Sequence, residues 1–348
     1  MTFYLLLVFV LCIYGVTVYQ KPEFCKDYLL RENTMSVRGI FVFMVIGQHF
    51  ITYTELNGAY DTFYMHVGQF LGQNIVTIFL FYSGYGVYES IKKKGKDYIR
   101  RIPVKRVLLT LLHFDCAVLI FCIVDKLLGK QYPLKQTLLA FTGWTGIGNS
   151  NWYVFAVLFT YIFTWIAFSI LHKYPVAGII ATTLLTVVYI VIVHHYRPQE
   201  GWWYNTILCY VAGMWYSHLK GKIEKVLFSE KYPNIYYLAF LGSVIAVILG
   251  KPHIGRLPIY IIWTLCFSVM VVLLTMKISV HNKILNWFGT YTFEIYILQR
   301  IPMMILSNLG LRNRPYIFLI CSVMCTIGIA WVFKKILTCM DKKILSII

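Results

Sequence analysis

Chemistry inside a membrane needs an ionisable side chain among apolar ones, and this sequence has few candidates. His49 follows Arg38 by eleven residues within one apolar stretch. At 1.5 Å per helical residue that is roughly 16 Å, which sets Arg38 near the inner headgroups and His49 near or just past the bilayer centre. Asp115 lies nine residues beyond Arg106, and Glu294 about ten residues into its own apolar stretch, so both reach a similar depth. His113 shares the Asp115 stretch. Ionisable groups at that depth cost several kcal/mol unless paired or hydrated, so they mark functional sites by default. A buried histidine whose basicity is set by a carboxylate takes a proton from a hydroxyl near neutral pH. His49 is the candidate base, with Asp115 or Glu294 as its orienting carboxylate. The competing reading is a polar knot that ties helices together.

A second group of residues suits anions. The run IKKKGKDYIRRIPVKR carries eight basic residues. Lys92, Lys93, Lys94 and Lys96 read as topology determinants or contacts to anionic lipid. Arg106 is different, because a helix starting near Pro103 puts it in the first turn. A helix N-terminus beside arginines is a good phosphate site, which makes Arg101, Lys105 and Arg106 candidate binders of a phosphorylated ligand. Near the opposite surface, the loops around Asn151, Trp152, Trp202 and Trp203 carry aromatic faces suited to sugar rings, although interfacial tryptophans are more often belt residues.

The elements that must position these groups follow from composition. Of 348 residues, 59% are hydrophobic and only 13% charged, about half the charged share of soluble domains. A soluble core cannot hide that much apolar surface. The formal charge of +18 sits between apolar spans, which fits the positive-inside pattern better than nucleic-acid binding. Eleven candidate spans run approximately over 2–19, 36–55, 68–90, 103–124, 152–171, 175–194, 203–219, 234–250, 256–275, 284–306 and 316–337. With the 92–106 run cytoplasmic, alternation puts 23 of the 32 basic residues on the inner face. The N-terminus is then outside and the C-terminus inside. The first span lacks a basic leader and an A-x-A cleavage site, so it reads as an anchor. Nine cysteines form no C-x-x-C and no Cys/His set at zinc spacing, so no metal is expected. The expected fold class is an all-α, polytopic integral membrane protein.

Five segments in order resemble the membrane acyltransferase 3 family. The first is NTMSVRGIFVFMVIGQHF, with Arg38, Gly39 and His49 at the family's spacing. The others are Ser83-Gly84-Tyr85 closing an aromatic helix, the basic helix start at Arg101 and Arg106, NWYVFAVLF from Asn151, and FGTYTFEIYILQR from Phe288. The sequence departs from the family pattern in three places, one being that Arg106 stands five residues beyond Arg101 where the family often has Arg-x-x-Arg. Val154, Phe155 and Ala156 stand where many members place a glutamate after the Trp-aromatic pair, and Gln299 stands where many end the late motif in histidine. The resemblance implies a ten-helix transmembrane core over 33–348, preceded by an anchor and short link over 1–32. It further implies an integral membrane O-acetyltransferase of the cell envelope. Such an enzyme moves an acyl group, most often acetyl from acetyl-CoA, to a hydroxyl of a cell-surface or lipid-linked carbohydrate. His49 would be the base or carry the acyl group. Arg38 would steady a CoA phosphate or fix a neighbouring carboxylate. Arg101, Lys105 and Arg106 would hold the nucleotide phosphates, and Asn151 and Trp152 would meet the acceptor. The rival reading is a transporter or flippase for a lipid-linked or polymeric saccharide, with the buried His, Asp and Glu as a proton relay. A third is a partner subunit that has lost catalysis.

Overall fold

Apolar runs this long fold as helices because, in hydrocarbon, each backbone N–H and C=O must find its partner within the segment. The computed structural model describes residues 1–347. The chain begins with α1 (Thr2–Ile13), β1 (Val16–Val18), α2 (Arg31–Phe50), α3 (Thr62–Leu71), α4 (Asn74–Lys94) and α5 (Lys96–Ile102). A π-helical turn, Pro103–Leu108, joins α5 to α6 (Leu109–Leu127). There follow α7 (Leu134–Ala140), α8 (Trp152–Leu171), α9 (Pro175–Tyr196), α10 (Leu208–Leu227), α11 (Ile235–Gly250) and α12 (Leu257–Thr275). The chain continues through β2 (Ile278–Val280), α13 (Lys283–Thr290), α14 (Thr292–Leu298), α15 (Arg300–Asn308) and α16 (Pro315–Ile347). Most of the chain is helix, as an all-α membrane protein requires.

Among the described residues, seven helical segments are long and apolar enough to cross a membrane, rather than the eleven expected. Three differences account for the gap. The span expected over 2–19 is a 12-residue helix followed by a strand; twelve residues rise about 18 Å, short of a ~30 Å hydrocarbon core. The span expected over 284–306 is three short helices, broken at Tyr291 and Gln299; Pro302 has no N–H to offer Leu298, which weakens the ladder there. Helices α4 and α10 are 21 and 20 residues long, but Tyr, Ser and Gly in α4 and the charged end of α10 dilute their apolarity. The span expected over 68–90 also divides, into α3 and α4, at Gly72, whose φ of +48° suits glycine.

Two backbone-to-backbone crossings set the frame. A Cβ at Gly39 would lie 2.1 Å from the Leu285 carbonyl oxygen, and one at Gly289 would lie 1.9 Å from that of Met35. Helices α2 and α13 therefore touch through glycine on both sides. Helices α4 and α10 do the same: a Cβ at Gly84 would meet the Tyr210 carbonyl oxygen at 1.9 Å, and one at Gly213 that of Phe81 at 2.1 Å. Small residues permit this closeness, which van der Waals packing needs where water supplies no drive.

Helix α1 lies along the same bundle. Thr2 N–H bonds the Tyr60 carbonyl, beyond the C-terminal end of α2. At the other end β1 pairs antiparallel with β2, Val16 opposite Val280. Asn282 ties this corner: its Oδ1 accepts from the N–H groups of Ile284 and Leu285, capping α13, while its Nδ2 donates to the carbonyls of Leu11 and Tyr14.

Replacing Gly39 or Gly289 by Ala should destabilise the detergent-solubilised protein by about 1–3 kcal/mol or more through overpacking. Gly328→Ala, in α16 where an added Cβ meets nothing, should be neutral or stabilise by ~0.5–1 kcal/mol. Thermal unfolding curves of the three variants check the contrast.

Candidate active site

One face of α2 carries Arg31, Thr34, Met35, Arg38, Val42 and Val45. Helical spacing keeps them in one stripe, and all six line a cavity of about 610 Å³. The cavity follows α2 from Arg31 to Val45, roughly 21 Å at helical rise. Opposite walls come from α4 (Tyr82, Ser83, Tyr85), the π turn (Arg106), α8 (Tyr153, Tyr161) and α14 (Phe293, Tyr296), with Gln299 after them. Three guanidinium groups and five phenols thus face one space, and among the described residues no carboxylate lines it.

The cations are held by aromatic rings. Arg38 lies over Tyr82, 5.6 Å from the ring centre, and its Nε is buried with no protein partner among the described residues. Arg106 lies over Tyr161 at 5.9 Å, and its Nε donates to the Tyr98 hydroxyl at 3.2 Å. The Tyr161 hydroxyl is in turn 2.8 Å from Ser83 Oγ. The π turn after Pro103 sets the rotation of Arg106; single π turns inside helices are frequent at functional sites.

His49 continues the α2 stripe one turn beyond Val45, yet it does not line the cavity. Tyr296 stands between them. It lines the cavity, and its ring centre is 6.1 Å from that of His49. His49 Nδ1, the Tyr296 hydroxyl and Gln299 Oε1 are all buried without a protein partner among the described residues. Such atoms are rare in native structures and point to water or a ligand.

The carboxylates are elsewhere. Glu294 Oε1 pairs with Lys334 of α16 at 3.2 Å, while Oε2 is buried without a partner. Asp115 has a buried, unpartnered Oδ1, and among the described residues no hydrogen bond joins it or Glu294 to His49 Nδ1. His113 pairs with Asp341 at 2.8 Å. Equal depth along three helices sets rise but not rotation, so residues at one level face different neighbours. Arg300 of α15 has its guanidinium 6.0 Å from the Tyr53 ring centre and its Nε buried and unpartnered among the described residues.

The remaining expected residues have other surroundings. Arg101 and Lys105 are exposed and do not line the cavity. Asn151 Nδ2 donates to the Gly143 carbonyl at 2.8 Å, pinning the loop before α8. Trp152 packs edge-on against Tyr153, ring centres 6.0 Å apart, and it is Tyr153 that reaches the cavity. Where a glutamate was weighed from the family pattern, Val154 and Ala156 are buried in apolar clusters, and Phe155 packs on Trp144 and Trp203. Gln299 lines the cavity end.

Sequence reasoning missed Arg31, Tyr82, Tyr153, Tyr161, Tyr296 and Arg300. The signal for Arg31 is its place seven residues before Arg38, two turns back on the same face. For Tyr296 it is its place in the late motif; Arg300 counts in sequence only as an outer positive charge.

The acyltransferase 3 family model, described as an acyltransferase domain, matches residues 36–335, and the chain belongs to that family. No curated protein and no solved structure matches it. The match covers the whole cavity-forming region except its rim at Leu29, Arg31, Thr34 and Met35. The protein is an acyltransferase built on several membrane-crossing helices.

The Glu294–Lys334 pair makes a separable prediction. Lys334→Met leaves a mostly buried carboxylate unpaired and should cost about 1–3 kcal/mol. Adding Glu294→Gln should recover most of that loss. A double-mutant cycle on thermal stability measures the coupling; additive losses would remove the pair from the fold's supports.

Proposed function

We propose that this protein transfers an acyl group, acetyl in the simplest case, from acyl-CoA to a hydroxyl of a cell-surface or lipid-linked carbohydrate. The observation that carries the reading is the cavity of Arg31, Arg38 and Arg106 with five tyrosines, running along α2 toward His49 and lined by no carboxylate among the described residues. Arg31 is exposed, but Arg38 and Arg106 are partly withdrawn from water; that desolvation is costly, and a polyanionic ligand offsets it. The donor's nucleotide end carries several phosphates, and its thioester end is a long, thin arm. Arg31, at the first residue of α2, and Arg106, in the π turn, suit the phosphates. The basic excess favours a cytoplasmic location for this end of the bundle. The orphaned Arg38 Nε and the Tyr82 hydroxyl suit the polar groups along the arm.

The reaction joins the acceptor oxygen to the acyl carbon and breaks the carbon–sulfur bond. His49 takes the hydroxyl proton, and the leaving thiolate gains one. A buried, unpartnered Nδ1 leaves that nitrogen free for the role. The Tyr296 hydroxyl, between cavity and His49, suits donation to the oxygen on which charge develops. In this reading the acceptor approaches His49 from the side away from the cavity. His49 Nδ1 has no carboxylate partner among the described residues, so this reading does not include the orienting carboxylate of a hydrolase-type triad.

His49→Ala should lower transfer by on the order of 10²–10⁴ with protein level unchanged, measured with radiolabelled acetyl-CoA and envelope glycans as acceptor. Normal product acetylation in that variant removes His49 from the mechanism. Arg106→Ala should raise KM for acetyl-CoA roughly tenfold to a hundredfold, the value of a charge-assisted hydrogen bond, with a smaller effect on acceptor. An unchanged KM makes Arg106 a topology determinant only. Transfer by purified protein in detergent, where no gradient exists, separates the enzyme from a saccharide flippase.

A further inference from the structure

A second cavity, about 430 Å³, lies beside the α10–α11 turn, away from the α2 stripe. The link after β1 supplies Tyr19, Lys21, Phe24 and Lys26; the turn supplies Phe228; Tyr237 and Lys277 close it. Lys277 is only 8% exposed. Its ammonium donates to the Glu23 carbonyl oxygen and lies 3.8 Å from the centre of the Phe24 ring. Lys21 donates to Asn234 Oδ1 at 3.1 Å. Both ammonium groups flank one ring, that of Tyr237, at 6.0 and 5.8 Å from its centre. Two lysines converging on one ring repel each other, and among the described residues neither forms an ion pair. Glu23 and Glu230 share the rim, but their exposed carboxylates pair with neither ammonium. Burial lowers the Lys277 pKa from its ordinary value, with Glu23 opposing the effect and Lys21 adding to it.

What adjoins the cavity narrows the ligand. Tyr237 lies in the first turn of α11, and the helix then presents Leu238, Leu241, Ile245 and Ile248, all exposed, at spacings of three and four. A cationic, aromatic cup at the foot of an outward apolar stripe fits an amphiphile with a phosphate head and hydrocarbon tails. Basic cavities between membrane helices on the cytoplasmic side bind anionic head groups in this way.

We infer that Lys21, Lys277 and Tyr237 form a binding site for the phosphate head of an anionic glycerophospholipid of the inner leaflet, whose chains lie on the Leu238–Ile248 face of α11. The site is separate from the acyl-transfer cavity, so its occupancy does not depend on how that cavity is read. A free phosphate shares the head-group chemistry but gains nothing from the apolar stripe.

The test uses the full chain in detergent, titrated with phosphatidylglycerol or phosphatidylcholine of identical chains and followed by native mass spectrometry. Wild-type protein should retain phosphatidylglycerol in preference to phosphatidylcholine. Lys21→Met with Lys277→Met should weaken phosphatidylglycerol binding on the order of tenfold, as expected for two lysines near a charged head group, and leave phosphatidylcholine unchanged. Lys21→Met alone, at an exposed position that folding tolerates, should give a several-fold loss. Equal retention of both lipids by wild type, or undiminished phosphatidylglycerol binding by Lys21→Met, overturns the site. Inorganic phosphate at millimolar concentration should not compete; if it does, the cup binds a free anion and the lipid assignment fails.

Discussion

Positive charge held inside an apolar bundle without an opposite charge is the constraint around which this molecule is arranged. Arg38 and Arg106 face one cavity, and among the described residues no carboxylate shares it. Removing two guanidinium groups from water costs several kcal/mol each. Stacking on Tyr82 and Tyr161, and the bond to Tyr98, recover part of that cost. The rest is left for an anionic occupant. The fold thus stores a preference for negative ligands that is met only when one is bound, a useful property in a protein proposed to take a polyanionic donor.

Glycine is what keeps those cations in register. Helices α2 and α13 touch backbone to backbone through Gly39 and Gly289, and α4 and α10 through Gly84 and Gly213. Gly39 follows Arg38 directly, and Gly84 sits between Ser83 and Tyr85, which line the cavity. The small residue and the functional residue are chain neighbours, so the contact that sets helix separation also sets where the functional side chain points. Family motifs written as basic-Gly or Ser-Gly-aromatic therefore describe packing and chemistry together.

Much of this is legible in order and type, and less in rotation. The Arg38–His49 spacing places both residues on one helix face because eleven residues are close to three turns. The all-helical class follows from composition alone. Helix rotation leaves no trace in a list of spans, so Glu294 and Asp115 read as partners of His49, whereas Glu294 faces Lys334. The seven long apolar helices among the described residues fall short of the eleven expected spans for local reasons. The strand pairing of Val16 with Val280, Thr17 with Ser279 and Val18 with Ile278 joins segments far apart in the chain and is invisible to a hydropathy window. So is the helix break at Gln299. The tyrosines are hidden by number; Tyr85, Tyr153 and Tyr296 lie in family-like motifs, but among 27 nothing in the sequence shows which ones share a cavity.

The stop at the far end of the large cavity has a consequence for the bilayer itself. A hollow roughly 21 Å long would, if it continued, become a pore and discharge ion gradients. It ends at Tyr296 and Gln299, with Tyr153 packed edge-on against Tyr296 at 5.2 Å and the His49 ring beyond. Aromatic side chains thus act as a plug. The plug and the proposed base are neighbouring rings, 6.1 Å apart between centres, so the side chain that closes the hollow also lies beside the place where an acyl group would have to pass.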